Sequence, residues 1–543
     1  MSKKAKHAVY FFILLGAVFR IIMVIVHYTH MDDIGVANYL IHLLRLTEDD
    51  EIGIAGKFSD FWTYGPFQTL ITQKLVNENM SYSLNVIMGR LPSLLCNILF
   101  VFLIYNLLCK INEKEKCNLG IVLIICIVSL SWENIIYSAQ MEPYSIGVLF
   151  SAIIIYFVME KFYDSWYKTV LAVFLFTIGC YAQYQMFILV FAVYIVTFIN
   201  NIRNKRNLIR VVFAGLFNFV FSTPLLLFLL KTGKLSLGVN TWNAGKDNIF
   251  LYHIVEGTFF NNIGYTIEFF IRNLFLCFKY LFLADSFKYI SNILTVILLL
   301  CATFGIYYIH KNKEYRIFAW FHDAVTIVLL IMIINGGLTF GPSRHILFVE
   351  PIWLVLIFLG IVYLVQIIKV YLRKIIAMTI CLIILLFVFS VPTEVATRKN
   401  LISEKYLCGL IDKYEPRFIF TEVNLNDLYL FNLGEFTNNS EPVGQGWLQN
   451  VDIEVTPRKN DTIILMSKNY SFDDIGNMDH TMRQQLAEKV NYFNLDTAWA
   501  DLDNYTILYK KEVQTDAEVE YARKYYWNFP NGLYLYVLKY HEN

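Results

Sequence analysis

Apolar residues in this chain fall in long blocks, not in a short polar and apolar alternation. The first block, AVYFFILLGAVFRIIMVIV, follows a basic start, MSKKAKH, with no small-residue cleavage site after it, so a retained signal anchor is expected. Further blocks run at about 84–109, 119–130, 144–159, 169–184, 186–199, 211–230, 290–309, 318–335, 346–366 and 375–391. With the anchor they predict about eleven membrane-spanning helices, several shorter than the roughly twenty residues a straight crossing needs. After residue 391 the pattern changes. RFIFTEV, DTIILMS, YTILYKK and LYLYVLKY read as strands, TMRQQLAEKVNYF as a helix, and Gly, Asn, Asp and Pro separate them. The expected fold is a polytopic α-helical membrane protein over residues 1–391, followed by a C-terminal extracytoplasmic α/β domain over 392–543.

Composition narrows the function classes. Of 543 residues, 57% are hydrophobic and 16% charged, with mean hydropathy +0.49. A soluble domain carries about a quarter charged residues, so a water-soluble enzyme and a disordered chain are both excluded. Lys plus Arg minus Asp plus Glu is 45 − 44 = +1, which points to no nucleic-acid partner. The sum hides a split. From Pro392 onward there are 15 basic and 23 acidic residues, which leaves 30 and 21 before it. Nine cysteines are scattered without a CxxC, and only Cys408 lies in the tail, so the tail is expected to fold without an internal disulfide. The bias toward Ile, Asn, Lys, Tyr and Phe suits an AT-rich, low-GC bacterial genome.

Basic residues set the expected orientation. With the N-terminus in the cytoplasm, the loops KINEKEK, EKFYDSWYK, NNIRNKRNLIR, HKNKEYR and KVYLRK are all inside and all basic. The short outer turns SWENIIYSAQME and YAQYQ hold no Lys or Arg, and GGLTFGPSRH holds one. Three large pieces then lie outside: a first loop at about 29–83, a loop at about 231–289, and the tail. The expected location is the plasma membrane.

The first outer loop carries the chemistry. THMDDIGVANYL places Asp32 and Asp33 a few residues beyond the first span. A carboxylate at an apolar boundary is partly desolvated and gains basicity, which suits it to accept a proton from a hydroxyl. A solvated helix cap with Asp in its first turn is the plainer alternative. FSDFWTYGPFQTLITQKL follows, where Tyr64 and Gln68 beside Trp62 suit a sugar or a bilayer interface, and an amphipathic stretch comes next. GRLPSLL puts Arg90 near the start of the second span, facing a partner or cavity, or snorkelling to the surface.

In that order, the D-[DE] pair after the first span, the Y/W-G-x-x-Q segment and the R-L-P segment resemble the GT-C superfamily of integral-membrane glycosyltransferases. The likeness is to family-39-type members, which include protein O-mannosyltransferases and aminoarabinose transferases of lipid A. It covers about residues 1–391. The resemblance implies transfer of a sugar from a polyprenyl-phosphate donor to an extracytoplasmic acceptor, with membrane lipid around the site and inversion at the anomeric carbon. It assigns the general base to Asp32 and a supporting role to Asp33, here Asp where the family more often has Glu. Glu142 of SAQMEPY becomes the acceptor-positioning candidate and Glu133 a weaker one. Arg344 of GPSRHILF becomes the donor-phosphate ligand, with Lys57 and Arg90 behind it, because a departing phosphate dianion needs cationic donors. Tyr64, Gln68 and His345 are candidate substrate contacts, His345 more by packing or hydrogen bonding than by catalysis. The acidic pair also offers oxygen ligands to a divalent cation, although the sequence shows no committed ligand set. A secondary transporter and a non-catalytic envelope scaffold are the competing classes.

Overall fold

The computed structural model describes residues 2–26, 66–75, 80, 82–141, 143–231, 252, 259–283, 288–335, 338–342 and 344–367, and then 383, 388, 410, 413–421, 441–444, 458–467, 505–513 and 533–541. The chain divides into two compact units. One comprises Met1–His27, Leu46–Asn77 and Ile87–Glu394, and the other Tyr28–Arg45, Glu78–Val86 and Val395–Asn543.

The first unit is helical. Its elements are α1 (Lys3–Val26), α2 (Pro66–Leu75), α3 (Tyr82–Glu115), α4 (Asn118–Leu130), α5 (Trp132–Tyr137), α6 (Tyr144–Met159), α7 (Trp166–Ala182), α8 (Met186–Asn201), α9 (Lys205–Lys231), α10 (Phe259–Phe282), α11 (Lys288–Lys311), α12 (Arg316–Ile334) and α13 (Glu350–Ile367). Among the described residues, six helices are long and apolar enough to cross a membrane, and α4, α6, α7 and α8 are apolar but shorter. This is the make-up of a helical membrane protein.

Which helices sit inside follows from which are apolar all round. Helix α4 is buried from Gly120 through Leu130, and α13 from Glu350 through Val362 apart from Trp353. They form the centre. Around them, α1, α9, α11 and α12 turn Leu14, Leu216, Ile293 and Ile327 outward. Apolar belts of this extent suit lipid and would be a liability in water.

Close helix crossings rest on glycine. At the crossing of α11 and α13, a Cβ on Gly305 would lie 2.0 Å from the Leu356 carbonyl oxygen, and one on Gly360 would lie 1.8 Å from that of Cys301. Only residues without a side chain let these backbones meet. Gly16 likewise brings α1 against α4, where a Cβ would stand 2.4 Å from the Ser129 carbonyl.

Two stretches expected as loops contain helices. The stretch at about 231–289, expected as an outer loop, contains α10, a 24-residue helix. Asn262, Glu268, Arg272 and Lys279 interrupt its apolar residues at near-helical intervals, which breaks up an apolar run without breaking the helix. Phe278 of α10 stacks on Trp353 of α13 at 4.5 Å between centroids. The segment SWENIIYSAQME, expected as a short outer turn, contains α5, whose six residues are all buried.

The second unit holds a five-stranded sheet of β1 (Phe418–Thr421), β2 (Glu441–Gly444), β3 (Thr462–Ser467), β4 (Tyr505–Val513) and β5 (Leu533–Tyr540). Spatial order is β2-β1-β3-β5-β4, with β2, β1 and β3 parallel and β5 antiparallel to both neighbours. Leu535 through Leu538 of β5 are buried without alternation. A strand covered on both faces reads this way. The four strands expected from sequence coincide with β1, β3, β4 and β5, while β2, as EPVG, gave no strand signal. The expected span at 375–391 lies outside the described residues except at 383 and 388, and the expected tail helix lies wholly outside them.

Candidate functional site

The site begins at a break in the central helix. Ser131, with φ −57° and ψ 123°, separates α4 from α5. An extended residue at this point releases carbonyls that a continuous helix would have satisfied, and in an apolar interior each must find another donor. Arg20 of α1 supplies them. Its Nη1 donates to the Ser129 carbonyl at 2.5 Å and to Gly16 at 3.0 Å, and its Nη2 donates to Val128 at 3.0 Å. A cation at the C-terminal end of α4 also complements the helix dipole.

From Arg20 a chain of amides leads to a carboxylate. Arg20 Nε donates to Asn97 Oδ1 at 2.8 Å, and Asn97 Nδ2 donates to Ser145 Oγ at 3.2 Å and to Asn134 Oδ1 at 3.5 Å. Asn134 Nδ2 donates to Glu350 Oε1 at 2.7 Å, and the Ser145 hydroxyl donates to the Tyr137 carbonyl at 2.9 Å. Every one of these side chains is fully buried. Glu350 sits in the first turn of α13, where the dipole favours an acid. It lies within electrostatic range of Arg20 and of Glu133, itself buried. Its second oxygen, Oε2, has no hydrogen-bond partner among the described residues.

The motif segments meet beside this chain. Gln68, on α2, is buried and donates through Nε2 to the Met141 carbonyl and, at 3.3 Å, to Ser93 Oγ. Thus Y-G-P-F-Q touches both S-A-Q-M-E-P-Y and R-L-P-S. Gly89, next to Arg90, faces Met141 so closely that a Cβ there would lie 2.8 Å from the sulfur. Tyr144 meets His345 edge to face at 6.3 Å and Tyr137 at 5.6 Å. The 3-10 turn Arg344–Val349 is pinned to α6 by Ser151 Oγ, which donates to the Phe348 carbonyl at 2.5 Å. Three further buried acceptors here, Gln68 Oε1, Thr72 Oγ1 and Gln140 Oε1, have no hydrogen-bond partner among the described residues. Buried polar atoms are nearly always paired, so a run of unpaired ones marks a place where a polar ligand or water belongs.

Of the residues chosen from sequence, Gln68, His345 and Glu133 are placed in or beside this cluster. Arg90 is buried and donates from Nη1 to the Val24 carbonyl at 3.0 Å, which caps the end of α1. The backbone of Arg344 opens the 3-10 turn; its side chain lies outside the described residues. Asp32, Asp33, Lys57, Tyr64 and Glu142 lie outside them as well. Sequence reading missed Arg20, Asn97, Asn134 and Glu350. The available signal was a charge or carboxamide inside or at the edge of an apolar run, which costs free energy and needs a reason.

The other end of the unit is built differently. Glu160, at the end of α6 far from Tyr144, takes Lys110 Nζ at 2.9 Å and Lys168 Nζ at 3.4 Å. Burial acts to raise its pKa, but the hydrogen bonds and charges of Lys110, and then of Lys168, outweigh it and hold the carboxyl below its ordinary value. Glu115, at the end of α3, accepts from Tyr315 at 2.7 Å, Tyr308 at 2.9 Å and Gln366 at 3.1 Å.

Compared with known proteins, the chain matches no family model, and no curated protein matches its sequence.

Proposed function

We propose that this protein is a membrane glycosyltransferase of GT-C type, moving a sugar from a polyprenyl-phosphate donor to an acceptor at the outer face of a bacterial plasma membrane. One observation carries the reading: four short segments chosen from sequence, spread from Gln68 to His345, meet around buried acceptors that have no hydrogen-bond partner among the described residues. Sugar hydroxyls are donors, and unpaired Gln, Thr and Glu oxygens are what they would bind.

In this reading the N-terminus is cytoplasmic, about eleven helices span, and the tail is extracytoplasmic. Asp32 takes the acceptor proton while the nucleophile attacks opposite the phosphate, giving inversion through an oxocarbenium-like state. Asp33 and Glu142 position the acceptor, with Glu133 behind them. Arg344 and Lys57 stabilise the departing lipid phosphate. Arg90 acts by holding the end of α1, since Val26 closes that helix six residues before Asp32. Tyr64, Gln68 and His345 line the sugar site.

The test is transfer from a synthetic polyprenyl-phosphate sugar by the purified chain. Asp32→Asn should lower turnover by roughly 10²- to 10⁴-fold, the usual worth of a general base. Arg344→Ala should raise the donor KM more than the acceptor KM. Full turnover by Asp32→Asn removes the base, and unchanged donor dependence returns Arg344 to an anchoring role.

A transporter has one observation in its favour, the broken α4–α5 helix beside the buried Arg20 and Glu350. Substrate uptake into vesicles that survives Asp32→Asn but not Glu350→Gln would favour it.

A further inference from the structure

Far along the helical unit from the Gln68 cluster, α11 and α12 form a hairpin through the short turn Lys313–Tyr315. His310 lies at the last turn of α11, and His322 and Asp323 lie two turns into α12. His310 Nε2 is 3.3 Å from Asp323 Oδ1, and His322 Nδ1 is 3.1 Å from the same oxygen. The three donor atoms all fall within 4.8 Å of one another.

The two spacings to the Asp323 oxygen match those between ligands of a tetrahedral ion, and the third pair lies within 4.8 Å. With bonds of about 2.0–2.1 Å to imidazole nitrogen and carboxylate oxygen, two ligands of one tetrahedral ion sit about 3.3 Å apart. Two imidazoles and one carboxylate form a borderline donor set that zinc-class divalent ions favour over magnesium or calcium. Access is open on one side: the His310 and Asp323 side chains are 44% and 42% exposed, while His322 is 13% exposed. That leaves a fourth position open on the exposed side. The neighbouring cations are engaged elsewhere, Lys311 over the Tyr307 ring at 5.6 Å and Arg316 over Trp320 at 5.4 Å while donating to Asn200.

We propose that His310, His322 and Asp323 form an exchangeable zinc-class site that fastens α11 to α12, separate from the sugar site. His310 comes from α11 and His322 and Asp323 from α12, so a bound ion would tie the two helices together and stiffen the hairpin. The ion enters no transfer step.

The experiment uses the full chain in detergent, stripped with chelator and re-equilibrated with zinc alone or cobalt alone. Roughly one ion per chain is expected to depend on these residues, with the visible spectrum of four-coordinate cobalt. His310→Ala and His322→Ala should each weaken binding by on the order of 100-fold or more, since even an outer partner's loss costs up to that. His7→Ala, at an exposed position of α1, should leave it unchanged. Zinc should raise the melting temperature of the natural chain and not of the His310→Ala, His322→Ala double variant. Where alanine variants do not fold, His322→Cys decides: it should keep the ion and add thiolate-to-cobalt absorption. Equal binding by natural chain and double variant, no binding by the natural chain, or no thiolate band from the cysteine variant each overturns the site.

Discussion

The two ends of the helical unit handle buried and half-buried carboxylates in opposite ways. At one end Glu115 takes three donors and Glu160 takes two lysines, so each acid is saturated by the protein itself. At the other, Glu350 is buried deeper yet holds one oxygen on Asn134, and the second has no hydrogen-bond partner among the described residues. A saturated acid is a fastening. An acid and a set of amides kept short of partners destabilise the fold, and that cost makes sense where a ligand completes the set.

The largest effect should come from cutting the chain at its cationic end. Arg20→Ala uncovers the Val128 and Ser129 carbonyls and leaves Glu350 without its counter-charge, so a loss of about 3–5 kcal/mol is expected in a denaturation assay. A loss below about 1 kcal/mol would show that water or another donor already covers the break. Glu350→Gln keeps an acceptor for Asn134, so it should fold and still lose transfer. Unchanged transfer would make this end a fastening like the other.

Next in size is Gly360→Ala. Its Cβ would collide with the Cys301 carbonyl, a backbone atom that cannot swing aside, and about 1–3 kcal/mol should be lost. This lies between the two ends, so stability should fall with no preference between transfer and folding. Smaller again is Glu115→Gln, which weakens three partly exposed hydrogen bonds by about 1 kcal/mol in all and should leave transfer intact.

The smallest effect is a pH dependence. Because Glu160 is held below its ordinary value, its contribution is complete above the unfolded carboxyl value of about 4.3 and disappears as pH falls through the lower folded value. Natural chain and Glu160→Gln should therefore converge in stability in acid. A constant difference down to acid pH would mean that the lysines do not stabilise the charged form.

Much of the helical pattern was legible because apolar length reports burial in lipid or core, and most helices fall within the expected blocks. Helix α10 was not, since Glu268, Arg272 and Lys279 dilute the run while sitting at intervals a helix tolerates. Helix α5 was missed because Glu133 and Asn134 read as a wet turn, whereas the tertiary partners Asn97 and Glu350 offset the burial of Asn134. In the candidate site, Gln68 and His345 stood in recognisable segments. Arg20 and Glu350 stood at or within apolar blocks, where spacing says nothing of a partner more than 300 residues away.

The most direct measurement sets one end against the other: glycosyl transfer from a polyprenyl-phosphate donor by purified, folded Asp32→Asn and Glu115→Gln. Activity of the first should fall at least about 100-fold and that of the second should match the natural chain. Equal activity in both, or no transfer by the natural chain from any such donor, contradicts the proposed function.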